Sequence, residues 1–357
     1  MSNETLEHLN TNTLIGNTDQ RGHAWHHRAD LQAAEPNHYT GPIPVEDVRR
    51  RLFGWVADSR AIAVEIAADV TTMTDMTDDG LPMHWQVITD RQAITRSDTH
   101  EVLGIFADGY QRHQYDVWLL TTVANVLDDS LSISSAGLLR SGAIAWVEVS
   151  VPDSITTPEG VVFRPNLLAT TSFDGSIATT FKRTVTDVVC DNTRGMALAE
   201  KGQQYKVKHS RNSQIKLGDA RATLAMVHTL GDEFAAEVKR LCETKVTTTH
   251  WGKFLDAHVP LVTVAGERLT GRAATIAEKK RAGLQKLYTH DLRVAPWAGT
   301  AHGVLQAVNT FEHHEGTVRG TTRAERNMLR AVTGDWDSLD RTAYLQLAQV
   351  LAVHSFL

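Results

Sequence analysis

Apolar and polar residues alternate with a period of two through much of the first half of the chain, and recur at helical spacing through the second. Residues 1–43 show neither pattern and read as an irregular arm rich in Asn, Thr, Gly and His, closing with Gly41-Pro42-Ile43-Pro44. Pro44 then opens a helix over Val45–Val56, because the fixed φ of proline suits a first helical position. Strands are expected at Ala61–Ala67 and His84–Asp90, separated by the acidic loop Thr71–Gly80. A third, Val102–Phe106, runs into the turn pair Asp108-Gly109. Val117, Leu120, Val123, Ala124 and Leu127 lie at helical spacing and predict a helix over Tyr115–Leu127. Four β-rich runs follow: Leu131–Leu139, Ala143–Val151, Val161–Ser172 and Ser176–Arg183, the last two joined by Phe173-Asp174-Gly175.

The alternation stops at Thr184. Thr184 and Asp187 have capping-box spacing, and Val185, Val188, Val189, Met196 and Ala199 share one face of the helix that should follow. Tyr205–His209 is extended, and a long helix spans Asn212–Val246. Helices continue at Thr249–His258, Ala273–Tyr288, Ala301–His314, Thr322–Val332 and Ser338–Val353. Regular βαβ alternation is absent, so the fold class is α+β: an antiparallel β-sheet packed on a pivotal helix, followed by a largely helical C-terminal half. The expected divisions are an N-terminal arm (1–43), an α+β core (44–211) and a helical C-terminal region (212–357).

With 42% hydrophobic and 22% charged residues in 357, the chain can bury a substantial core. Its two cysteines, Cys190 and Cys242, are far apart, which suits a reducing compartment better than a disulfide scaffold. No apolar run of signal-peptide length occupies the first thirty residues, and Gly142–Val151 is far too short to span a bilayer. The expected location is the cytoplasm, with no membrane partner.

Phosphate-binding Gly-x-x-x-x-Gly-Lys-[Ser/Thr], Gly-x-Ser-x-Gly and His-Glu-x-x-His motifs are all missing, so no nucleotide cofactor and no catalytic residue are assigned. Seventeen histidines invite a metal, with His23, His26, His27 and His313, His314 as the densest groups. Adjacent residues on a helix diverge by about 100°, so such pairs poorly serve one ion, and no metal ligand is assigned. Asp75, Asp78 and Asp79 lack the spacing of a calcium loop, and Glu243-Thr244-Lys245 closes a helix where nuclease motifs of that form lie on a strand.

Net charge is −6, yet it is unevenly distributed. Between Phe181 and Arg221 nine bases face four acids, a net of +5 that leaves −11 for the remainder. A second stretch, Glu267–Arg293, carries seven bases against three acids. Such segregation is either the footprint of a polyanion or the ordinary charge of solvated helix faces. The first segment is the more informative because of its placement. Lys182 and Arg183 end a strand beside Phe181, Arg194 lies on the expected pivotal helix, and Lys206 and Lys208 alternate beside Tyr205, with Arg211 just beyond. Cations next to aromatic rings suit a single strand of nucleic acid, whose phosphates meet Lys and Arg while its bases stack.

Nearly the whole chain resembles a phage- and plasmid-encoded family described as a domain of unknown function, number 932. The likeness rests on Thr13–Trp25 with His26, on Ala136–Trp146 (AGLLRSGAIAW), on Phe173-Asp174-Gly175, on Val188–Thr193 followed by Ala197-Leu198, and on Gly299–Gly303 with Asn309 and His314. Arg194 departs from the usual apolar residue at that place. The resemblance implies a mobile-element origin and no settled activity. Strands running into a helix with bases at the junction are also similar in shape to single-strand annealing proteins of the Rad52 type, which work as oligomeric rings without a nucleotide. The expected function is therefore ATP-independent binding of single-stranded DNA by a homo-oligomer, in annealing or recombination. Two other readings stand beside it: a metal-dependent nuclease, and a non-catalytic host-takeover or anti-defence protein.

Overall fold

Ser132–Leu139 and Ile144–Ser150 (β6 and β7) pair antiparallel at the centre of a six-stranded sheet in the computed structural model. The structure describes residues 5–66, 74–76, 82–125, 127, 131–151, 154–185, 204–211, 234–318 and 335–353. Two compact units emerge, one of residues 3–153 with 165–228, the other of 154–164 with the C-terminal segment from 229.

In the first unit the main sheet runs β1-β6-β7-β10-β11-β12, with β1 at Thr13–Ile15, β10 at Asn166–Ser172, β11 at Thr179–Thr184 and β12 at Gln204–Val207. Every residue of β7, β10 and β11 is buried, so both faces are covered. Register places Ala136, Val147, Ala169, Phe181 and Tyr205 side by side on one face. That face carries the main apolar core, with Val48 and Leu52 of α2 (Val45–Leu52) and Leu119, Leu120 and Val123. The opposite face aligns Ser135, Glu148, Leu168 and Lys182. Trp146, Ile144, Ile15 and Leu9 of α1 (Leu6–Asn12) pack there as a smaller cluster. A buried carboxylate is accommodated on it because Ser134 Oγ and Ser135 Oγ donate to Glu148 Oε1 at 3.2 and 3.4 Å, Ser135 itself accepting from Trp146 Nε1 at 3.0 Å.

A second sheet joins β2 (Ala57–Ile66), β3 (Thr74–Met76), β4 (Pro82–Arg96) and β5 (Val102–Ala107). Its inner end, with Ala57, Ile94 and Leu103, is buried in the main core, whereas Val64, Trp85 and Val87 toward the outer end are exposed.

The second unit is helical. Residues 234–243, α3 (Thr248–His258), α4 (Gly271–His290), α5 (Ala301–Thr310) and α6 (Asp335–Val350) enclose Trp251, Phe254, Leu284, Val304, Val308 and Leu347. A small hairpin, β8 (Ile155–Thr156) with β9 (Val162–Phe163), belongs to this unit: Phe163 packs on Phe234 with ring centroids 4.5 Å apart, and Trp297 Nε1 donates to the Glu159 carbonyl at 2.7 Å.

The α+β class and the helical C-terminal half are as expected from periodicity. Several details differ. The stretch read as an irregular arm holds α1 and β1, whose N-cap Thr5 accepts from His8 N and whose strand pairs with Ser135–Gly137. The helix after Pro44 ends at Leu52, four residues early, because the chain must turn at Phe53 to enter β2. The helix over Tyr115–Leu127 is π-wound at Asp116–Thr121 and α-helical only at Thr122–Ala124. Of the acidic loop, only Thr74–Met76 is described, as β3. The pivotal helix after Thr184, the first part of the long helix from Asn212, and Thr322–Val332 lie outside the described residues.

Candidate functional site

Pairing between β11 and β12 decides where the basic side chains go. Phe181 opposes Tyr205 and Thr180 opposes Lys206, so the two aromatics share the core face and Lys206 takes the other. Phe181 is buried, Tyr205 is half-buried with its ring 6.4 Å from that of Phe181, and Lys206 and Lys208 are exposed. Arg211 is exposed too and pairs with Asp108 at 3.1 Å. Lys182 and Arg183 are interior, with only 1% and 3% of their surface exposed, because β10 and β12 flank β11 and both sheet faces are covered. Arg194 lies outside the described residues. Three exposed cations are thus gathered on Gln204–Arg211, and two others are inside the sheet. In the second basic stretch, Lys280, Arg281 and Arg293 are paired with Glu312, Asp256 and Asp291.

Beneath that exposed edge lies a column of stacked rings that periodicity alone does not reveal. Phe106 stacks on Tyr110 at 3.9 Å, Tyr110 on His209 at 4.9 Å, His209 on His113 at 3.9 Å, and His113 on Trp118 at 3.5 Å. Hydrogen bonds knit the two imidazoles together. His209 Nδ1 lies 2.9 Å from the Gln111 carbonyl, and its Nε2 is 3.0 Å from Thr171 Oγ1. Thr171 and Thr179 hydroxyls are 2.8 Å apart, and Thr179 Oγ1 is 2.6 Å from His113 Nδ1. A carbonyl only accepts, so His209 carries its proton on Nδ1 and its Nε2 must accept. Thr171 therefore donates to His209, Thr179 donates to Thr171, and His113 Nδ1–H donates to Thr179. Every tautomer in the chain follows from one carbonyl. Burial pushes the pKa of His113 down to about 3, aided by the neighbouring His209. Burial lowers that of His209 as well, against the Gln111 carbonyl, which raises it.

A strained turn joins β6 to β7 at the same end of the sheet as Thr171 and Thr179. Arg140, Ser141 and Gly142 take φ values of 51°, 57° and 96°, a left-handed run rare for side-chain-bearing residues. Arg96 Nη1 donates to the Ser141 carbonyl at 2.9 Å while its guanidinium lies 4.2 Å over Trp55, and Tyr115 Oη donates to the Gly142 carbonyl at 2.9 Å. Arg140 Nη1 reaches Asp174 Oδ2 at 3.0 Å. Burial would raise the Asp174 pKa, but hydrogen bonds from Ser176, Ser172 and Arg140 outweigh it and hold the carboxylate below its ordinary range.

Four histidines, His23, His26, His27 and His38, gather near β1, with His27 and His38 centroids 4.4 Å apart. The Ala24 amide donates to His38 Nε2 at 3.0 Å and His38 Nδ1 donates to Asn37 Oδ1 at 2.7 Å, so this ring is neutral; burial, then His27, His26, His23 and Arg21, lower its pKa to about 3. Among the described residues no group of three or more His, Cys, Asp or Glu side chains converges as a metal site.

A model of the family described as Domain of unknown function (DUF932) matches residues 102–333, well over half of the chain. The protein belongs to that family. The matched region contains the basic edge, most of the strands of the main sheet, the whole ring column and the Arg140–Asp174 pair; the histidine group near β1 lies before it. No curated protein and no solved structure matches the chain. No helix among the described residues is long and apolar enough to cross a membrane.

Proposed function

We propose that the protein binds single-stranded nucleic acid along β12 and the residues after it, without a nucleotide cofactor. One observation carries the reading: Lys206, Lys208 and Arg211 are all exposed within a six-residue stretch at an outer edge of the main sheet, in a chain of net charge −6. An edge strand presents its backbone and alternate side chains to a ligand lying beside it, and cations at alternate positions can follow a phosphate backbone. Tyr205, half-buried between them and the core, offers an aromatic edge to a base. Phe181, Lys182 and Arg183 then shape the edge from within and do not touch the ligand. Arg194 remains part of the proposed path.

The same proposal places the protein in the cytoplasm of a host cell carrying a phage or other mobile element, acting as a homo-oligomer in annealing or recombination. Titration of labelled single-stranded and duplex oligonucleotides, followed by fluorescence anisotropy at about 50 and 200 mM salt, tests it. Tighter binding of the single strand, weakening as salt rises, is expected. Absence of binding at the lower salt overturns the reading.

A further inference from the structure

His209 sits one residue past Lys208 and two before Arg211, and it is the side chain that ties this basic stretch to the interior of its unit. We propose that the Gln111–His209–Thr171–Thr179–His113 chain is a one-way latch that holds the basic edge in place only while both imidazoles are neutral. The inference rests on the proposed nucleic-acid reading for its purpose, but not for its existence.

The argument is one of hydrogen-bond polarity. The Gln111 carbonyl forces His209 to keep its proton on Nδ1, and each donor then points toward His209 Nε2. A second proton on His209 would sit on Nε2 and turn that atom into a donor. Thr171 would then accept from it. Either Thr171 goes on accepting from Thr179 as well, and its own buried hydroxyl hydrogen loses the acceptor it had, or it turns that hydrogen to Thr179, which must then donate to His113 Nδ1. The second course requires His113 to lose its Nδ1 proton along the chain and hold one on Nε2 instead. That nitrogen is buried, in a residue only 1% exposed, and has no hydrogen-bond partner among the described residues. Protonating His209 thus leaves an unsatisfied buried donor, either the Thr171 hydroxyl or the His113 Nε2–H.

Among the described residues no carboxylate eases the positive charge. His209 is packed between Tyr110 and His113, and the threonines of β10 and β11 that meet it are uncharged. Asp108 at the end of the stretch is engaged by Arg211, and Asp174 acts on Tyr110 rather than on His209. The depressed pKa values of both imidazoles agree in direction. Acidification should therefore detach residues 207–211 from the core and lower affinity for nucleic acid, the reverse of an ordinary polyanion binder, whose affinity rises as its histidines gain charge.

The test uses the full chain and two readouts that need no nucleic acid. Imidazole ¹⁵N shifts near neutral pH should report the Nδ1–H tautomer for both His113 and His209. Amide exchange at Val207, Lys208, His209 and Ser210, corrected for intrinsic rates, should accelerate at least about tenfold between pH 7.5 and 5, with the latch opening as a local unit. Thr171→Val, which keeps shape and removes the hydroxyl that meets His209 Nε2, should show the fast exchange already at neutral pH. An Nε2–H tautomer on either ring, or exchange at these amides that does not change with pH, overturns the latch. If both readouts succeed and no oligonucleotide binds at any pH, the latch stands and the proposed function falls.

Discussion

The indole of Trp146 occupies the space that a β-carbon on Gly137, its cross-strand partner, would need. The contact joins β6 to β7 on the smaller core face, where Trp146 is fully buried and its Nε1–H reaches Ser135. Gly137→Ala should therefore force the ring or the strand to move, at a cost of about 3 kcal/mol, the upper end of overpacking effects. A urea unfolding midpoint lower than wild type by the equivalent amount is expected; an unchanged midpoint would show that the sheet yields there without strain.

The basic side chains should separate into two classes on mutation. Lys206→Ala with Lys208→Ala should leave the melting temperature unaltered and reduce the steepness of log K against log salt by about 1.4, two phosphate contacts at the single-strand value. Titration with a labelled single strand at several salt concentrations measures it.

Lys182→Glu should behave oppositely. Placing a second carboxylate in the interior beside the strand that carries Glu148 is expected to cost about 3 kcal/mol or more. Thermal unfolding and circular dichroism should reveal the loss of fold directly, whether or not nucleic acid is present.

His38 and His113 couple stability to pH. Each has a folded-state pKa lowered to about 3 from an ordinary 6.5, so between those values the unfolded chain binds more protons than the folded one. Their stabilising contribution is complete above about pH 6.5 and is lost as pH falls toward 3, by up to about 1.4 kcal/mol per pH unit for each ring. Urea midpoints measured from pH 7.5 to 4 should decline, and His38→Gln should decline less steeply by one proton. A wild-type midpoint flat across that range would contradict the buried neutral state of both rings.

In the helical unit, Tyr288 stacks on Trp251 at 4.2 Å and its hydroxyl accepts from the Gly299 amide at 2.8 Å. Tyr288→Phe preserves the stack and removes the acceptor, and should destabilise this unit by about 1–2 kcal/mol. Faster amide exchange at Gly299 is the accompanying local sign.

Periodicity and turn chemistry were enough to read β6, β7 and α3 nearly to the residue, α4 to within two residues at each end, and the Phe173-Asp174-Gly175 turn with Gly175 at φ 75°; the run Val161–Ser172 is instead broken into β9 and β10, β11 begins three residues later than expected, and α5 gives way to a π-helix after Thr310. Those elements are specified locally, by alternation over neighbouring positions or by an apolar stripe at every third or fourth. β1 escaped notice because three residues carry too little alternation to stand out, and only pairing with β6 makes them a strand. The Arg140-Ser141-Gly142 turn was visible only as a break between strands; its left-handed run depends on Arg96 and Tyr115 arriving from elsewhere.

For the candidate site the chain alone determined that nine bases cluster over 181–221 and that Lys206 and Lys208 alternate past Tyr205. It could not distinguish Lys182 from Lys206, since a period of two assigns a side chain to a face and says nothing about what covers that face. Tertiary structure made that decision by flanking β11 on both sides and leaving β12 at the edge. It alone brought His113 to His209 across 96 positions, through Thr171 and Thr179 on adjacent strands. Local pattern governs conformation because it acts within a turn or two of backbone; burial and hydrogen-bond partnership are set by which distant segments meet.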